Sequence, residues 1–72
     1  MKGFPSRELV ESVRKSYLNK RVRLVYMNDP EAVPSGTEGT VTHVDDIGQL
    51  HVNWDNGRTL AIIPETDRFQ LA

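Results

Sequence analysis

His43 and His51 are the only imidazoles in the chain and Asp45 stands between them, so any general-base or metal chemistry would be built around residues 43 to 51. On adjacent strands the two rings become neighbours and, with Asp45, approach a ligand set. Two histidines without a clear third ligand make a poor zinc site, so they are expected as solvated sheet positions. The turn carboxylates Asp45, Asp46, Asp55 and Asp67 lack the spacing of a calcium loop and read as Asx-type acceptors. Gly36 and Gly39 have neither the spacing nor the following helix of a phosphate-binding loop. No catalytic residue, bound metal, cofactor or small-molecule substrate is therefore expected.

The remaining chemistry is charge. Residues 1 to 23 hold seven basic side chains (Lys2, Arg7, Arg14, Lys15, Lys20, Arg21 and Arg23) against two acidic ones, a net +5, while the rest of the chain carries −6. Arg14, Lys15, Lys20, Arg21 and Arg23 can form a stripe that meets an acidic protein surface or phosphates. The alternative is that these charges pair internally with the acidic part of the chain. An isoelectric point near 6.0 is far from that of a typical nucleic-acid module, and no aromatic is interleaved on an exposed strand for base stacking. A protein partner is the favoured expectation, with nucleic acid as the alternative. Tyr26, Met27, Pro30 and Pro34 are expected to be partly exposed at the rim of a groove. The sole tryptophan, Trp54, alternates with Leu50 and Val52 and is read as core.

These residues need elements to position them. In SRELVESVRKSYL, residues 6 to 18, Ser6 can cap a helix whose Leu9, Val13 and Tyr17 recur every fourth position with Val10 beside them. RVRLVYM alternates as a strand from residue 21, with Val22, Leu24 and Tyr26 on one side. NDPEAVPSG, residues 28 to 36, is a surface loop because two prolines and a glycine exclude a strand interior. A second strand spans 38 to 44, with Gly39 marking a bulge or a close backbone approach. Residues 45 to 48 form a short hairpin loop before QLHVNW. Asn56-Gly57 predicts a type I′ turn that sets Asp55 opposite Arg58 as an exposed ion pair. RTLAII follows, PETD makes one helical turn, and RFQL ends the sequence as a fifth strand.

The expected fold is mainly β (α+β): one helix over 6 to 18 before a small five-stranded antiparallel barrel over 21 to 71, as one domain. At 72 residues such a unit buries about 60% of its unfolded surface, and without cysteine it has no disulfide to support it. The absence of cysteine, of an apolar leader in MKGFPSRELVES and of a membrane-length apolar run leads to the expectation of a cytoplasmic protein with no membrane partner.

PSGTEGTVTHVDDIGQLHVNWDNGRTLAIIPETDRFQL, residues 34 to 71, together with RVRLVYMNDP, resembles the family catalogued as domain of unknown function 4314. Its members are short proteins of Firmicutes, phages and mobile elements, and the resemblance implies an SH3-like barrel. GTEGTV is also similar to the turn of KOW modules, which bind RNA and ribosomal or transcription partners. VNWDNG with DRFQL resembles the Mib-Herc2 domain, a protein-binding barrel. Together these imply a non-catalytic binding or accessory module.

Overall fold

The computed structural model describes residues 6–72; residues 1 to 5, with Lys2 and the start of the segment read for a leader, lie outside the described residues. Helix α1 (Arg7–Tyr17) begins as the sequence predicts, with the Ser6 hydroxyl oxygen accepting from the Leu9 amide at 3.1 Å. Glu8 in the first turn and Arg14 and Lys15 in the last complement the helix dipole. The helix stops where the Leu18 amide donates to the Arg14 carbonyl and Asn19 takes a left-handed φ of 65°. Among the described residues, no helix is long and apolar enough to cross a membrane.

The stripe that α1 buries is displaced from the expected one. Val10 is buried, with Val13 and Tyr17 packed against the core, whereas Leu9 is 54% exposed. Val10, Val13 and Tyr17 fall within about 60° of one another at about 100° per residue, which leaves Leu9 on the outer side of that arc. Tyr17 meets the Phe69 ring edge-on, with centroids 5.1 Å apart.

Five antiparallel strands follow: β1 (Arg21–Tyr26), β2 (Glu38–Val44), β3 (Leu50–Trp54), β4 (Thr59–Ile62) and β5 (Arg68–Leu71). They form one sheet in the order β4-β3-β2-β1-β5. The expected closure is absent: pairing ends at β4 and β5, so the sheet is open. Between those strands the Thr66 and Asp67 amides both donate to the Ile63 carbonyl. This helical turn redirects the chain towards the far edge and does not fold β4 and β5 into a hairpin.

The core joins Val22 and Leu24 of β1, Val41 and Val44 of β2, Leu50, Val52 and Trp54 of β3, and Ile62 of β4 to Val10 of the helix. Gly39 is the close approach expected of it. A Cβ there would lie 2.7 Å from Val52 Cγ1 and 2.8 Å from the Asn53 carbonyl oxygen, too near for any other residue. Two bulges alter the alternation. On β1 the register shifts between Leu24 and Tyr26, so Val25 and Tyr26 both face solvent and Met27, expected at an exposed rim, is buried. Val33 of the long loop is buried too, so that loop contributes to the core.

The Asn56-Gly57 hairpin is real but longer than predicted. Trp54 N–H donates to the Arg58 carbonyl, Gly57 N–H donates to the Trp54 carbonyl, and only Gly57, at φ 91°, takes a positive φ. This is a three-residue loop with a glycine bulge and not a type I′ turn. Asp45 to Gln49 repeats the same pattern, with Gly48 at φ 83° in the glycine position.

Candidate functional site

The basic stripe is built on α1 and β1, and most of it is held within the molecule. Arg21 and Arg23 alternate on the outer face of β1, opposite Thr40 and Glu38 of β2. The Arg21 guanidinium donates to the Asp55 carboxylate from Nη1 and Nη2, at 2.9 and 2.5 Å, and Nη2 also reaches Glu38 at 3.5 Å. Arg23 donates to Glu38 at 2.8 and 3.1 Å. Asp55 therefore pairs with Arg21 and not with Arg58, because the three-residue turn carries its carboxylate over the β2–β1 ladder. Arg14 pairs with Glu11 and donates at 2.9 Å to the Val44 carbonyl. Lys15 and Lys20 are exposed and make no ion pair among the described residues.

The ion pairs set an acid dependence. The Arg21 hydrogen bond holds Asp55 below the usual carboxylate range, and the Arg23 hydrogen bond does the same for Glu38. Both folded values are depressed, so the stability these groups contribute is present above the unfolded carboxylate range near pH 4 and is lost as pH falls through the folded values. A urea midpoint series from neutral pH to about pH 2 should fall more steeply below about pH 4 for the native chain than for Asp55→Asn, Glu38→Gln. Parallel curves would refute this assignment.

The rim residues divide. Tyr26, Pro30 and Pro34 are exposed, whereas Met27 is buried. The segment that carries them is fastened at several points. Gly36 N–H donates to the Leu24 carbonyl at 2.7 Å and the Ser35 hydroxyl donates to the Val25 carbonyl at 2.7 Å. At the other end, the Asn28 amide donates to the Asp67 carboxylate at 3.2 Å. Asp67 is itself buried, and it also accepts from the Ile63 amide at 2.8 Å. Sequence reasoning placed Asp67 only as a turn carboxylate, since its partner at Asn28 is far away in the chain.

His43 and His51 are cross-strand partners on β2 and β3, with ring centroids 5.5 Å apart. The register shift between Val41 and His43 places Thr42 and His43 opposite the single His51, which turns His43 to solvent. His51 Nε2 lies 2.9 Å from an Asp45 oxygen whose carboxylate also accepts the Ile47 and Gln49 amides. Burial pushes the Asp45 carboxyl up, but the hydrogen bonds from His51, Gln49 and Ile47 outweigh it and the net direction is down. Among the described residues, no group of three or more His, Cys, Asp or Glu side chains is arranged to hold a metal ion.

Residues 6–72 match the family described as domain of unknown function (DUF4314). No curated protein and no solved structure matches the chain. The family match spans every described residue, and the chain belongs to that family.

Proposed function

We propose that this member of the DUF4314 family is a non-catalytic binding or accessory module whose partner is a protein. The observation that carries the reading is the bulge at the end of β1, which turns Val25 and Tyr26 outward together, 44% and 54% exposed. Large apolar side chains presented side by side on a fastened backbone suit an interface, because little conformational entropy remains to be lost on binding. Pro30 and Pro34 extend the surface along the loop. The strand order also supports an SH3-like strand arrangement, with β1 to β4 running as a meander and β5 returning beside β1 after one turn, in a sheet that stays open between β4 and β5.

The pairing of Arg21 and Arg23 with Asp55 and Glu38 weighs against nucleic acid, since phosphates would have to displace two carboxylates already in place. Lys15 and Lys20 remain to steer an acidic protein surface. The test is affinity capture from host lysate with the native chain and with Val25→Ser, Tyr26→Ser as baits, alongside titration of labelled DNA and RNA at two salt concentrations. Proteins retained by the native chain and lost with the double variant are the expected result. Salt-sensitive nucleic-acid binding that is lost when Lys15 and Lys20 are reversed, with equal protein capture by both baits, would overturn it.

A further inference from the structure

We infer that His43 and His51 form a two-imidazole chelate for a divalent transition ion of the zinc class, with Asp45 acting as a positioning residue through His51. The two rings are directly paired across β2 and β3, on the solvent face of two strands fixed by the core beneath them. A neighbouring pair of imidazoles suits zinc, copper or nickel and not magnesium or calcium, which take oxygen ligands.

The separation fits a shared ion. Metal–nitrogen bonds of about 2.1 Å put an ion about 3.2 Å from each ring centre, so a roughly tetrahedral angle sets the centres about 5.2 Å apart. The centroids stand at 5.5 Å, which leaves an adjustment of a few tenths of an ångström, well within side-chain motion. His43 is exposed and His51 half-buried, so water would complete the coordination sphere and the site would bind more weakly than one with three protein ligands.

Asp45 supplies what two surface histidines ordinarily lack. A carboxylate can only accept, so the contact at 2.9 Å puts the proton of the neutral His51 ring on Nε2 and leaves the Nδ1 lone pair for a cation. The Ile47 and Gln49 amides hold that carboxylate in place. A metal-bound imidazole that donates its other N–H to a carboxylate is the usual outer arrangement around zinc. Here it belongs to the hairpin turn, so the turn that joins β2 to β3 also orients the ligand between them.

The test is titration of the tag-free full chain with zinc sulfate, followed by the histidine ring resonances in NMR and by thermal unfolding. Both rings should shift together at one ion per chain and the unfolding temperature should rise. His43→Ala and His51→Ala, each still folded by far-UV circular dichroism, should abolish the response. Asp45→Asn should weaken zinc affinity about tenfold or more, beyond any change in the unfolding temperature of the metal-free chain. A single responding ring, a response that survives either histidine substitution, or none at about 1 mM zinc would overturn the site. Unchanged affinity in Asp45→Asn would overturn the role given to Asp45.

Discussion

Trp54→Ala is expected to remove a large share of the chain's stability and to lower its urea midpoint sharply. Trp54 is the largest fully buried side chain, 1% exposed, and its indole N–H donates to the Leu60 carbonyl at 3.1 Å. It is the last residue of β3, with its backbone paired to Gly39 of β2, where a Cβ would lie 2.9 Å from the Trp54 Cα. Truncating a buried tryptophan to alanine costs about 3–5 kcal/mol. A chain of 72 residues has about 4–11 kcal/mol to lose in total. Trp54→Phe keeps a ring in the cavity and forfeits the Leu60 bond, so it should fall between the two. Urea unfolding followed by far-UV circular dichroism compares all three. The native protein should show blue-shifted, quench-resistant tryptophan emission. An alanine variant with a native-like midpoint would remove Trp54 from the core.

Trp54 was legible because its signal is local. Alternation with Leu50 and Val52 assigns a face, and the β3 pattern keeps that phase to the end of the strand. The helix cap at Ser6 and the close approach at Gly39 are read in the same way, from one residue type in one local setting. The bulges are not. No residue type announces the register shift at Val25, yet it moves Tyr26 out and Met27 in, and a strand read by strict alternation goes wrong from that point on. Sheet closure was illegible for a related reason: Pro64 to Asp67 reads correctly as a helical turn, but a turn does not state whether the strands it joins will pair.

The candidate site follows the same division. Asn56-Gly57 locates a hairpin, but loop length decides where Asp55 points, and one extra residue changes its partner from Arg58 to Arg21, 34 positions away. The internal pairing of the basic stripe was foreseeable from the charge asymmetry as a possibility, though not residue by residue. His43 and His51 were legible as neighbours. Asp45 as the fixed acceptor of His51 needed the turn geometry, since the Asx bonds that immobilise it form only once Gly48 adopts its positive φ.

Asp67→Ala should carry the second largest cost, and it tests how the exposed end of β1 is held. Asp67 is 7% exposed, and its carboxylate accepts the amides of Asn28, which opens the long loop, and Ile63, which follows β4, with the Thr66 hydroxyl at 3.3 Å. Hydrogen bonds to a charged acceptor contribute about 1.5–3 kcal/mol each, and solvent replaces part of that at a half-buried amide, so about 2–4 kcal/mol is expected. Asp67→Asn keeps one acceptor oxygen and turns an NH2 group towards the other amide, so it should retain only part of the loss-free value. Chemical denaturation at neutral pH gives the magnitudes, and hydrogen exchange locates them. The Asn28 and Ile63 amides should exchange faster in Asp67→Asn while Val10 in α1 keeps its protection, because the Val10 amide donates to the Ser6 carbonyl and the Asp67 carboxylate bonds only Asn28, Ile63 and Thr66 among the described residues. Stability within about 0.5 kcal/mol of the native chain would show that water satisfies both amides. The loop, and the Tyr26 surface beside it, would then be held by the Ser35 and Gly36 bonds together with the buried Met27 and Val33.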